Sequence, residues 1–184
     1  MSGVEAAFDL LRVVVLFATV AVAATTDTLS RRVSNYLTYP AMALGLALGF
    51  GMGGLGLDAS WTQHHLMSHV LGLGIGAGIF LVAWWADGVK GGEVKLAGAV
   101  GALGGAQFTI AAMFWSSLVG AIMALWILLL RGQLLEGLRR SVRYAVMLKT
   151  EDAPKDDPAR MPVPYAVAIA FGTLWTFLVL ETAG

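Results

Sequence analysis

The chain has 184 residues, of which 58% are hydrophobic and 13% charged, with acids and bases in balance. Such a composition belongs to a polytopic membrane protein and excludes a soluble globular core. Cysteine is absent, which excludes disulfides, cysteine-ligated zinc and thiol catalysis as well.

Six apolar segments approach or exceed the roughly 20 residues that cross a hydrocarbon layer about 30 Å thick with every backbone amide satisfied internally. They run over 7–26, 36–57, 66–86, 93–107, 108–130 and 162–182. The expected fold is therefore all-α, a single polytopic membrane domain over 1–184 with about six transmembrane helices. The first segment follows MSGVEAAFDLLR, where Glu5 and Asp9 precede the first basic residue. A secretory n-region is positively charged, so this segment is expected to remain as a helix. The fourth segment is short and flanked by charge. It reads either as a half-buried helix or as the near half of one broken by glycines.

Basic residues in short loops mark the cytoplasmic side. Arg31 and Arg32 lie in the first loop, Lys90 in the third with Lys95 just inside the next helix, and Arg131, Arg139, Arg140, Arg143, Lys149, Lys155 and Arg160 in the fifth. Only Arg12 stands apart, so the odd-numbered loops are expected in the cytoplasm and both chain ends outside it. Within 131–161, Leu134, Leu135, Leu138, Val142 and Val146 share one helical face and Arg139, Arg140 and Arg143 another. That pattern suits an amphipathic helix on an anionic leaflet, with a solvated connector as the alternative. The following EDAPKDDPAR reads as a loop, because its prolines and charges neither continue a helix nor bury area.

Glycine is concentrated inside the apolar segments. Gly72, Gly74, Gly76 and Gly78, and the Ala97, Gly101, Gly105 spacing, allow helices to approach closely where lipid offers no hydrophobic drive to associate. His65 and His69 have the i,i+4 spacing of a metal pair beside His64, but no clear third ligand beyond Asp58 accompanies them, so no metal or other cofactor is expected. Trp61, Trp84 and Trp85 fall near the ends of segments, where indole rings favour packing or the interfacial belt. The glycine-rich stretch 88–105 lacks a preceding soluble strand and a Walker lysine-serine pair, which argues against nucleotide binding. No nucleic-acid partner is expected, and a homodimer is left open.

Two acids carry the chemical signal. Asp27, in AATTDTLSRRVSNYLTYP, and Glu93, in GVKGGEVKLAGAVGALGG, fall at the same end of the predicted bundle. Ionisable groups near hydrocarbon are costly and mark functional candidates. Two carboxylates in one partly desolvated site do not both ionise easily, so one holds a proton while the other takes one from water, as in aspartic proteases. Gly91 and Gly92, without a Cβ, would let an extended substrate strand approach the backbone. The structural alternative pairs Asp27 with Arg31 at i,i+4, and Glu93 with Lys90 or Lys95, as interfacial ion pairs of small energetic worth. Spacing alone leaves both readings open.

DTLSRRVSNYLTYP resembles the first motif of the type IV prepilin leader peptidases, membrane aspartic proteases of the GxGD class. KGGEVKLAGAVGALGG resembles their second motif, GxGDVKL and a small-residue helix. RMPVPYAVAIAFGTL is similar to their proline-aromatic lead into the final helix. The resemblance covers nearly the whole chain. By it, Asp27 and Glu93 take the places of the catalytic aspartates, and Gly91, Gly92 and Lys95 belong to the substrate site. Lys90 stands where the motif has its first glycine, and Glu93 where it has aspartate. Glutamate moves the carboxylate by about one methylene, and Lys90 adds a cation that favours the ionised acid.

The resemblance implies removal of a basic leader peptide from a pilin or pseudopilin precursor at the cytoplasmic face of a bacterial inner membrane. Without cysteines or a large loop between the first two helices, the chain resembles the short, peptidase-only form of Flp or Tad-type pili, with no methyl transfer. Asp87, Glu151 and Asp152 are candidates to meet the leader's charges. Two alternatives accompany this reading. One is an inactive form, natural or engineered by Asp-to-Glu replacement, that binds precursor or assembly partners. The other is a small proton or cation transporter, which would need polar residues continuing beyond the acids, where the sequence has chiefly Ala, Gly, Val and Leu.

Overall fold

A computed structural model describes residues 3–54, 59–85, 89–132 and 165–183, all of the regular structure helical. The elements are α1 (Gly3–Ser30), α2 (Asn35–Gly54), α3 (Ala59–Trp85), α4 (Gly91–Leu130) and α5 (Tyr165–Ala183). Among the described residues three helices carry apolar stretches long enough to cross a membrane: Ala7–Ser30, Leu66–Trp85 and Gly91–Leu130. Residues 133–164, with the amphipathic segment and most of its loop, lie outside the described residues.

The first helix runs past the apolar segment that the sequence suggests. In its last turns the hydroxyls of Thr25, Thr26, Thr28 and Ser30 donate to carbonyls one turn back, at 2.7–2.9 Å. Each polar side chain is satisfied within the helix, so TTDTLS continues it and places Asp27 on its final turn. The helix ends at Arg31, whose φ of 53° is left-handed and whose N–H donates to the Asp27 carbonyl at 2.8 Å. This is a left-handed C-terminal cap in a position that usually takes glycine. Three residues later Ser34 caps α2, its hydroxyl accepting the Tyr36 N–H at 3.2 Å.

The predicted segments 93–107 and 108–130 join in α4, broken only at Gly105, with φ 77° and ψ 174°. Those angles belong to glycine, since a Cβ makes them strained. The chain doubles back there. A Cβ on Gly76 would meet both the Ala97 carbonyl before the break and the Thr109 methyl after it, the latter at 3.3 Å. The break frees the Ala106 N–H, and the Ser68 hydroxyl of α3 accepts it at 3.1 Å. At about 1.5 Å per residue the stretch 91–104 spans only about 20 Å. It is the near half of a glycine-broken helix.

That half forms the centre of the bundle. Leu96, Ala97, Ala99, Val100, Ala102 and Leu103 are all fully buried, enclosed by Leu16, Val20 and Ala23 of α1, Ala41 of α2, Phe80 of α3 and Ala166 and Ile169 of α5. Small residues make this possible: Gly101 and Gly72 meet backbone to backbone, leaving no room for a Cβ on either. Gly72 and Gly76 face α4, whereas Gly74 and Gly78 face open space. The outward side chains, Leu81, Val82, Ile122, Trp126 and Leu178 among them, are large and apolar, as lipid contact requires.

Candidate active site

The helix ends bring the two acids together. Asp27 hangs from the last turn of α1 and Glu93 stands in the first turn of α4, the central helix. Both are buried, 3% and 2% exposed, and both line a pocket of about 200 Å³ with Arg31, Arg32, Val33, Lys90 and Gly92. Asp27 Oδ2 is buried and has no hydrogen-bond partner among the described residues. A buried carboxylate oxygen without a partner, in a pocket shared with a second acid, is costly to keep in a fold.

Glu93 is held differently. Its Oε2 accepts the backbone N–H of Lys90 at 2.7 Å. Glu93 is thus the third residue of α4 reaching back to the amide at its cap, one half of a capping box. The other half cannot form, because a lysine side chain offers no acceptor. The backbone amide of Tyr165, at the start of α5, also interacts with the Glu93 carboxylate. Three helices therefore converge on this one side chain.

The ion pairs weighed as a structural alternative are not formed. Among the described residues the salt bridge joins Arg12 to Asp9 at 3.3 Å, and no lysine or arginine nitrogen reaches either pocket acid within that range. Lys90 Nζ instead donates to the Arg31 carbonyl at 3.4 Å, and Lys95 Nζ to Asn35 Oδ1 at 2.9 Å. Lys95 is outside the pocket lining. Gly91 is exposed, and a Cβ there would find nothing nearer than Trp84 Nε1 at 3.9 Å. Gly92 has a different surrounding: its Cβ would come within 3.1 Å of Val33 Cβ, so its missing side chain admits the α1–α2 connection. Asp87, Glu151 and Asp152 lie outside the described residues.

His69 is buried, with its Nδ1–H donating to the Ala102 carbonyl at 2.6 Å. The side chains of His64 and His65 are outside the described residues, and among those described no three acids or histidines gather as a metal site would need. Sequence reasoning passed over Val33, Asn35 and the Tyr165 amide as parts of this region. Asn35 carried the one usable signal, as the asparagine of the first motif.

A family profile described as the type IV leader peptidase family matches residues 14–125, more than half of the chain and the whole span from α1 through both acids into the returning half of α4. The chain belongs to the type IV leader peptidase family. Membership supports a prepilin leader peptidase function in general, and with the long apolar helices it makes this peptidase-family chain a membrane protein. Comparison with curated proteins and with solved structures returns no match. The final helix, α5, lies beyond the matched span.

Proposed function

We propose that the chain is a membrane aspartic endopeptidase that removes the basic leader from Flp-type prepilins or pseudopilins at the cytoplasmic face of the inner membrane. The observation that carries this reading is the burial of Asp27 and Glu93 in one pocket, with Asp27 Oδ2 left without a partner. A catalytic carboxylate needs a free oxygen for water or for the scissile carbonyl. A structural one would have been satisfied by the fold.

In this mechanism the pair holds one proton. The ionised carboxylate takes a proton from water as the water attacks the carbonyl, while the protonated one gives its proton to the carbonyl oxygen; when the C–N bond breaks, the proton taken from water passes to the leaving amine and the hydroxyl proton of the intermediate returns to the second carboxylate. The Lys90 amide fixes the Glu93 carboxylate at the mouth of α4 for this work. The membrane-facing helices would hold the apolar part of the precursor while its basic leader stays in the cytoplasm.

A second reading, a family member that binds precursor without cutting, is favoured by the same cap, since it commits one Glu93 oxygen to the fold. A transporter reading is opposed by the closely packed apolar stretch from Leu96 to Leu103 behind the acids. Cleavage of a precursor pilin from the same genome, in membranes or detergent, separates them. Leader removal by the parent that is lost in Asp27→Asn supports a working Asp and Glu pair. Cleavage by Glu93→Asp alone identifies a peptidase scaffold disabled by one methylene, and no cleavage by any version returns the binding reading.

A further inference from the structure

The connection leaving α1 lies along the first turns of α4 through alternate residues. The Arg31 carbonyl accepts from Lys90 Nζ, Val33 fills the space above Gly92, and Asn35 Oδ1 accepts from Lys95 Nζ. The Lys95 ammonium also stands 5.1 Å from the centre of the Tyr39 ring in the next turn of α2. A cation held by an amide oxygen on one side and an aromatic face on the other is engaged within its own chain. Asp27 precedes this strap by four residues, and Glu93 sits under it, between Gly92 and Lys95.

We propose that Lys95, held by Asn35 and Tyr39, is a positioning residue that latches segment 31–35 along α4 and thereby sets the approach of Asp27 to Glu93. It acts on the geometry of the pair, not as a contact for the precursor. The catalytic part of this inference rests on reading Asp27 and Glu93 as the reacting pair; the latch itself does not. A strap pinned at three points holds the end of α1, and release of one point lets the Asp27 carboxylate drift. A drift near 1 Å at reacting groups costs on the order of 100-fold in rate.

The test combines cleavage kinetics with a distance. Lys95→Met and Asn35→Leu are each expected to lower kcat about 10- to 100-fold with KM little changed. The double variant is expected to be no slower than the worse single, and Lys95→Arg to retain most of the rate. In parallel, spin labels on Tyr36→Cys and Gly91→Cys, in a chain otherwise free of cysteine, report the strap-to-α4 distance by dipolar EPR. A narrow distribution in the parent sequence that broadens with Lys95→Met and with Asn35→Leu supports the latch, even if no version cleaves precursor and the peptidase reading fails. An unchanged distribution overturns it. So does a rise in KM confined to Lys95→Met with Asn35→Leu normal, which would make Lys95 a precursor contact.

Discussion

Glu93 caps the helix that carries it: its carboxylate accepts the Lys90 N–H at 2.7 Å at the start of α4. Glutamate at the third position of a helix has the reach for this bond, and aspartate, one methylene shorter, makes it less well. Capping and proton transfer can therefore be separated by substitution. Glu93→Gln keeps an acceptor for the Lys90 amide and should leave the thermal midpoint in detergent within a few degrees of the parent, while leader cleavage falls at least 100-fold. Glu93→Ala should lose the same activity together with about 1 kcal/mol of stability. Equal stability in the two variants would show that the cap contributes nothing.

Asp27 makes the opposite prediction. Its Oδ2 is buried without a partner, so this polar atom is desolvated in the fold with no hydrogen bond to offset the cost. Asp27→Asn should be at least as stable as the parent in a detergent melt, and inactive. A clear loss of stability would mean that the carboxylate is a structural group.

Gly92 and Val33 form a steric pair. A methyl on Gly92 would sit 3.1 Å from Val33 Cβ, closer than ordinary contact. Gly92→Ala should push the strap by a few tenths of an ångström and slow cleavage on the order of 10-fold. Val33→Ala added to it should restore most of that loss. Failure of the double variant to recover would place the glycine's role elsewhere, including against the substrate.

Gly105 and Ser68 hold the reversal in α4. Gly105→Ala puts a Cβ at a φ of 77° and 2.9 Å from Ser68 Oγ, and should cost about 1–3 kcal/mol. Ser68→Ala leaves the part-buried Ala106 N–H without its acceptor and should cost about 1 kcal/mol. Thermal melts of the two purified variants check both values.

Much of this was legible in the chain because the rules of a membrane act on composition and length. Apolar segments marked the helices, and the motifs around Asp27 and Glu93 marked the ends that meet. Local chemistry shifted the boundaries: back-bonding hydroxyls carried α1 to Ser30, beyond the apolar segment, and Gly105 joined two segments into one interrupted helix. The contacts that place the site were not legible. Lys95 meets Asn35 and Gly92 meets Val33 across about sixty positions, and no periodicity links them. His69 shows the same limit, since its spacing from His65 suggested a ligand while its ring is bonded to the Ala102 carbonyl.

The reversal at Gly105 also bears on how the chain sits in a bilayer. The arm before the break is too short to span a bilayer by itself, and at its far end the Ser68 hydroxyl of α3 accepts the Ala106 amide. The two arms therefore cross as one hairpin packed against α3. Lys90 and Arg131, at its two open ends, never have to cross. The glycine that shapes the centre of the bundle thus also ties α3 and both arms of α4 into one unit, and with it the acid that shares a pocket with Asp27.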